Sequence, residues 1–337
     1  MGTSIALGLA GQKIKVQMVD SSDLNVSLAQ DLVGESFSGL ADIVIFAIPG
    51  SQLPLVIKRE FELNPQATFM DIGSVKTKPQ HEIEGFPLLI PRFCGTHPMA
   101  GREIGGPEAA RADLFDGRAW IYTPSQETEP KCVSMVTGLI SSLGATPIRM
   151  EIAEHDAAVA LISHLPQISA SLLAKQLLDG RSEWMSLAGQ GLKDATRIAA
   201  SDPNLWGEII SANRQEIRPL LVELERDLHQ LIVGLDEEEI VSSLIAEGQR
   251  GRERISGKHG GKAREYSFLP IVIEDKAGQL AALFQECSIA NVNIEDLTIE
   301  HSPGQFTGLI TLALSREEAD KLSQHLATRG WKVHARR

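Results

Sequence analysis

The chain opens MGTSIALGLAGQKIKVQMVD (1–20), and the reading of these residues decides the fold. From Gly2, small and apolar residues run at helical spacing until Gly11 interrupts them. KVQMVD (15–20) follows as a strand-like segment ending on a carboxylate. Helix, glycine turn, strand and terminal acid in this order are the second half of a dinucleotide-binding βαβ unit. In such a unit two early glycines turn the chain and approach the pyrophosphate. A third lets helix and strand pack closely, and the helix N-terminus faces the phosphates. Gly2 suits the third position, with Thr3 and Ser4 in the first turn. The expectation is that a strand carrying the first two glycines precedes Met1.

Asp20 stands about 18 residues after Gly2, where a carboxylate can accept hydrogen bonds from both ribose hydroxyls. Ser21 and Ser22 follow, so a 2'-phosphate would meet a negative charge with no compensating cation. This favours NAD over NADP, although an acid at a strand end is also an ordinary turn former.

Working outward, ADIVIFAIP (41–49), ATFMDIG (67–73), FCGTHP (93–98), AWIYTP (119–124) and TPIRM (146–150) read as further strands separated by helical stretches. Continuous apolar runs bounded by Pro and Gly suit a parallel sheet buried on both faces. Residues 1–150 therefore read as a Rossmann-type, doubly wound α/β domain whose first strand is missing. Residues 151–246 read as all-helical. EIAEHDAAVALISHLPQISASLLAKQLLDG stops at Gly180, and NLWGEIISANRQEIRPLLVELERDLHQLIVGL is a second long helical stretch. Their apolar faces exceed what one small bundle buries, which points to a homodimer. EGQRGRERISGKHGGKARE, within 247–265, is Gly-rich and basic. It reads as a solvated linker, with a phosphate- or acid-binding segment as the sharper alternative. Residues 266–337 alternate again as βαββαβ, a ferredoxin-like module.

A formal net charge of -12 disfavours nucleic-acid and anionic-membrane partners. Three cysteines, Cys94, Cys132 and Cys287, lie far apart without metal-ligand spacing. No metal site or disulfide framework is expected, and a reducing cytoplasm fits. The longest apolar stretch, AAVALISHLPQISASLLA, reads as broken at His164 and Pro166, so no membrane span is expected.

Three segments carry chemistry. DIGSVKTKP (71–79) places small polar residues after a strand, at the sheet edge where doubly wound folds bind ligands. CGTHPMAGREIGG (94–106) sets His97 in a Gly-flanked loop, with Arg102 and Glu103 behind it. AGQGLKDATRIAASDPNLW (188–206) spaces Asp194 and Arg197 for one helix face. Each alone is ordinary, as an exposed His or a surface ion pair; together with ISHLPQ (162–167) they are specific.

On GTSIALGLA, DIGSVK, GTHPMAGRE, SHLP, GLKDATRIAASDPNLW and IEDKAGQLAALF…NVNIEDL, the chain resembles the prephenate/arogenate dehydrogenase family of tyrosine biosynthesis, in its form with a C-terminal ACT domain. The resemblance implies NAD-dependent oxidative decarboxylation of prephenate to 4-hydroxyphenylpyruvate. His97 would help the ring hydroxyl proton depart, and Ser74 would bind the same hydroxyl or orient His97. Arg197 would hold a substrate carboxylate, with Asp194 orienting or neutralising it. Glu103 would gate access, and Lys193, His164 and Trp206 would line the pocket. Gly2, Thr3, Ser4, Asp20, Ser21, Pro49, Ser74 and Val75 fall at cofactor positions. Many family members read HLPH where this chain has Gln167, which keeps arogenate, or dual specificity, as the alternative. From another class, a non-catalytic amino-acid-binding regulator is the competing reading. The ACT-like module implies tyrosine as effector, with Asp275, Gly278, Leu280 and Asn293 in its expected ligand-binding segments.

Overall fold

The computed structural model describes residues 1–12, 14–34, 37–101, 105–255, 266–300 and 306–335. The chain divides into two compact units, Met1–Asp227 and Leu228–Arg337. The nucleotide-type and helical segments thus pack largely as one unit.

The first unit begins α1 (Gly2–Leu9), α2 (Asp23–Val33), β1 (Ile43–Phe46), α3 (Leu53–Leu63), β2 (Thr68–Asp71), α4 (Thr77–Glu84), β3 (Phe93–Pro98), β4 (Ala119–Thr123), α5 (Pro130–Ser142) and β5 (Thr146–Arg149). The strands form one sheet in the order β1-β2-β3-β4-β5. Alternate residues of β2 and β3 serve opposite faces. Phe69 and Phe93 enter one core with Phe46, Leu53 and Ile57, whereas Met70 and Cys94 enter another with Ile5, Trp120 and Val136. Burial on both faces is why these segments read as unbroken apolar runs.

Two expectations are corrected. The sheet is mixed rather than parallel, because β4 runs antiparallel to β3, with His97 opposite Ile121. A parallel neighbour needs a crossover helix of its own. Among the described residues, the β3–β4 connection holds only a one-turn 3-10 helix, Pro107–Ala109. Second, residues 15–20 are not a strand. A strand exists through its ladder, and among the described residues none pairs with this segment; β1 bonds only β2.

The helical half continues with α6 (Ile152–Val159), a π turn (Ala160–His164) and α7 (Leu165–Gln176). The expected break at His164 and Pro166 is absent. Helix runs on from Ile152 to Asp179, long and apolar enough by length and composition to cross a membrane. Proline inside a helix lacks one N–H and crowds the preceding turn. Here Pro166 is the second residue of α7, one residue past the wider π turn, which accommodates it. α8 (Ser182–Met185), α9 (Gln190–Thr196), a 3-10 turn (Arg197–Ala200), α10 (Pro203–Ala212) and α11 (Arg214–Val233) complete this half. The second predicted helical stretch is interrupted at Asn213, whose side chain is buried.

In the second unit, α12 (Glu238–Glu253) is followed by β6 (Ser267–Glu274), α13 (Gln279–Ile289), β7 (Asp296–Glu300), β8 (Thr307–Leu314), α14 (Arg316–Thr328) and β9 (Lys332–Val333). The strands form an antiparallel sheet in the order β7-β8-β6-β9, the split arrangement expected of βαββαβ. Residues 247–253, read as linker, belong to α12; 256–265 lie outside the described residues.

Candidate active site

The floor of the site is a buried polar knot at the carboxyl ends of β2 and β3. Lys76, 2% exposed, donates from Nζ to an Asp71 carboxylate oxygen and to the Thr96 carbonyl (2.6 Å). Asp71 also accepts from the backbone N–H groups of Gly73 (2.9 Å) and Thr96 (3.2 Å). Trp120 Nε1 donates to Thr96 Oγ1 (3.0 Å), and Thr96 Oγ1 donates to the Asp71 carbonyl (2.6 Å). Gly95 leaves the room this knot requires. A Cβ there would stand 2.8 Å from Thr123 Oγ1 and 3.2 Å from Lys76 Cδ.

His97 stands above this floor, near the end of β3. Its Nδ1 lies 2.9 Å from His155 Nε2, and the rings meet edge-on with centroids 5.2 Å apart. Burial, and then the neighbouring His155, Lys76 and His164, hold His97 well below the ordinary imidazole pKa, against the opposing pull of Asp156. His97 is therefore a neutral imidazole at pH 7. His155, 0% exposed, has its Nδ1 2.7 Å from Asp156 Oδ1. Asp156 further accepts from the backbone N–H groups of Lys76 (2.8 Å) and Thr77 (2.8 Å).

The long helix supplies the facing wall. Asn213 donates from Nδ2 to the Asp156 carbonyl (2.8 Å) and to His164 Nδ1 (3.1 Å). His164 Nδ1 is thus an acceptor, and Nε2 carries the proton. That Nε2 is buried with no hydrogen-bond partner among the described residues, a donor awaiting an acceptor. Trp206 meets the His164 ring edge-on at 6.0 Å. Gln167 is buried, touching Ser171 and Ser201 at 3.4 and 3.5 Å.

Burial pushes His164 down to about 4, with His155 adding to the effect and Asp156 opposing it. The unfolded chain binds this proton from about pH 6.5 downward and the native protein only near pH 4. This contribution to stability is complete above pH 6.5 and is lost as pH falls, at up to about 1.4 kcal/mol per pH unit. The difference in urea-derived unfolding free energy between wild type and His164→Asn should therefore change steadily between pH 6.5 and 4. A difference independent of pH would show that His164 is not held neutral.

The remaining expected residues are distributed as follows. Ser74 follows β2, beside the end of β3, and no hydrogen bond joins it to His97 among the described residues; the hydrogen-bond partner of His97 there is His155. Lys193 and Asp194 are exposed on α9, and Arg197 is exposed on the 3-10 turn, in a segment packed on α7. Asp194 Oδ1 accepts from Gln190 Nε2 at 2.8 Å. Arg102 and Glu103 lie outside the described residues.

At the nucleotide end, Gly2 opens α1, and a Cβ there would stand 3.1 Å from Ala47 Cβ, so helix and sheet approach as a dinucleotide fold requires. Asp20 Oδ1 accepts from Ser22 N (2.9 Å) and Asn25 Nδ2 (3.3 Å); Ser21 is exposed. Pro49 caps the 3-10 turn Gly50–Gln52. Thr3 and Val75 are buried. Ser4 is buried as well, and its Oγ accepts from Arg111 N (3.1 Å), tying α1 to the β3–β4 connection.

Sequence reasoning missed His155, Asp156, Asn213, Lys76 and Asp71. A signal existed for the first pair. Adjacent His and Asp in EHDAAVA put two titratable groups in an otherwise apolar helical run.

A doubly wound sheet with a neutral histidine at its carboxyl edge, facing a helical wall, is the setting in which folds of this class bind nucleotide ligands. Residues 6–149 match the nucleotide-binding domain of prephenate dehydrogenase and residues 151–245 its dimerization domain, so the chain belongs to the prephenate dehydrogenase family. It is 25% identical to a probable prephenate dehydrogenase of Streptomyces niveus, over 99% of this chain and 97% of that protein. It is also 25% identical to the prephenate dehydrogenase of Bacillus subtilis, over 96% and 92%. The crystal structure of the Aquifex aeolicus prephenate dehydrogenase, in complex with hydroxyphenyl propionate and NAD+, superposes with TM-score 0.67. It shares 30% identity and covers 76% of this chain and 95% of that one.

Proposed function

We propose that the protein oxidises and decarboxylates prephenate with NAD, releasing 4-hydroxyphenylpyruvate and CO2. One observation carries this reading: a neutral, desolvated His97 at the carboxyl edge of the sheet, with the unpartnered donor of His164 in the same cluster. When bound, NAD supplies a hydride acceptor. His97 takes the proton of the ring hydroxyl as hydride leaves the same carbon; loss of the ring carboxylate as CO2 leaves its bonding electrons to aromatise the ring, which drives the reaction, and the phenolate oxygen takes the proton back. Ser74 binds that hydroxyl. His164 Nε2 donates to an acceptor on the substrate, and Arg197 pairs with a carboxylate. Lys193, Gln167, Trp206 and Glu103 shape the pocket, and Asp194 orients Arg197. The test is NADH formation with prephenate and with arogenate. Turnover of neither rejects the reading. The second reading, arogenate as substrate, is favoured by Gln167, a neutral amide that can accept from an ammonium group.

Gly2, Thr3, Ser4, Asp20, Ser21, Pro49, Ser74 and Val75 would hold NAD; the close approach of Gly2 to Ala47 fits it. Combining Asp20→Ala with Ser21→Arg should move the NAD:NADP preference toward NADP by about tenfold or more, since it exchanges a repulsive carboxylate for a phosphate-binding cation. Equal ratios before and after would remove Asp20 from the ribose.

The split βαββαβ unit is proposed to be an ACT-like tyrosine sensor in a cytoplasmic homodimer. Asp275, Gly278 and Leu280 lie at the N-terminal end of α13, and Asn293 lies beyond its C-terminal end, about 16 Å along the helix axis. One chain therefore does not gather them, and a site built from all four needs two copies. Gly278 has φ 90°, which strains any residue with a Cβ. Gly278→Val should raise the tyrosine concentration for half-inhibition about tenfold, within the usual range of coupling free energies. Inhibition that stays unchanged would place the sensor elsewhere.

A further inference from the structure

We propose that His155 and Asp156 are positioning residues for the reaction, holding His97 in the tautomer that carries its proton on Nδ1 and so leaving Nε2 as the atom that accepts the substrate proton. The inference rests on the reading of His97 as general base and adds to it which nitrogen acts and what keeps it available.

The donor and acceptor roles follow from the fixed end of the chain. Asp156 is held by two backbone N–H groups, from Lys76 and Thr77, on different carboxylate oxygens. Burial favours its protonated form, but the hydrogen bonds from His155, Thr77 and the backbone outweigh this and hold its pKa below the usual carboxylate range. A carboxylate accepts only, so the His155 nitrogen 2.7 Å from Oδ1 must donate. His155 Nδ1 therefore bears a proton, and the acceptor role is assigned to Nε2 of that ring. Across the 2.9 Å contact, His97 Nδ1 must then donate. The remaining His97 nitrogen, Nε2, is left with its lone pair.

The surroundings keep this arrangement in place. Neither His155 nor Asp156 can exchange its partner for solvent, since both are buried. The groups acting on His97 are Lys76 before α4, His155 and Asp156 on α6, and His164 in the π turn. Three of them disfavour a protonated His97; Asp156 alone favours it. When Nε2 takes the hydroxyl proton, the imidazolium keeps its Nδ1–H bond to His155 Nε2, and the Asp156 charge stabilises it through that ring. No proton moves between His97, His155 and Asp156 in this step.

The experiment uses the full chain with His155→Phe, which fills the space without an acceptor, and His155→Gln, which offers an amide oxygen to His97 Nδ1. Asp156→Asn is the second route, because its NH2 group can face His155 and reverse both tautomers. For His155→Phe, kcat with the better of prephenate and arogenate should fall about 100-fold, in the range of losing a correctly presented base. KM for substrate and NAD should stay within about threefold, and the acid limb of the kcat profile should move. His155→Gln should recover at least tenfold of the loss. In wild type, 15N-histidine NMR should show His97 Nε2 unprotonated, and in His155→Phe or Asp156→Asn a population protonated there. Should His155→Phe fail to fold, Asp156→Asn carries the same kinetic and NMR readouts. Wild-type protein with His97 protonated on Nε2, or variants with kcat within threefold and an unmoved acid limb, would overturn the proposal. Failure of the underlying reading is separable: there His97→Ala itself keeps its turnover, whereas failure of this proposal leaves His97→Ala impaired and His155→Phe active.

Discussion

His97→Ala is expected to lower kcat by about 10²–10⁴-fold, the usual contribution of a positioned acid–base group, while the KM for NAD changes only a few-fold. The side chain sits at the end of β3, where the segment after the neighbouring β2 carries Ser74 and α6 supplies His155. Alanine deletes the imidazole without touching the buried knot beneath, since that knot is built from Lys76, Asp71 and Thr96. The residual rate should come from positioning of substrate and cofactor alone. Steady-state kinetics at saturating substrate decides it: turnover within a few-fold of wild type would mean that His97 is not the proton acceptor.

Lys76→Met should destabilise the protein by about 3–5 kcal/mol, because it leaves the Asp71 carboxylate buried without its cation. Both partners are almost wholly enclosed, with side chains 1% and 6% exposed. The Gly73 and Thr96 N–H groups remain on Asp71 but cannot balance its charge. The Thr96 carbonyl also loses its donor. Urea unfolding of variant and wild type measures the effect, and a loss under about 1 kcal/mol would show that water or a rearranged donor replaces the ammonium. Replacing both partners with apolar residues, as in Lys76→Met with Asp71→Leu, should cost less than the sum of the single changes, since the two charges interact directly.

Much of the fold was legible because burial on both faces writes itself into composition. The segments 41–49, 67–73, 93–98, 119–124 and 146–150 were each apolar enough to read as strands, and each contains one. Strand direction was not legible. Nothing in AWIYT distinguishes a parallel from an antiparallel neighbour, and the β3–β4 connection decided it by lacking a crossover helix among its described residues. Residues 15–20 had the alternation of a strand but no ladder partner, and alternation alone does not make a strand. Pro166 read as a helix break by local chemistry, yet the π turn before it absorbs the clash.

The candidate site divides along the same line. The sequence by itself determined which chemistry was on offer: an imidazole after one strand, small hydroxyl and amide groups after another, a guanidinium in a helical segment, and a glycine before a helix. Those are properties of residue type and short-range spacing. Only the tertiary structure decided which groups act on one another. His97 meets His155 across 58 residues, Lys76 meets Asp156 across 80, and His164 meets Asn213 across 49. These contacts arise because α6, the π turn and the end of α10 close over the carboxyl edge of the sheet. That closure removes water, and without water a hydrogen-bond partner, rather than solvent, determines which nitrogen of each histidine carries the proton.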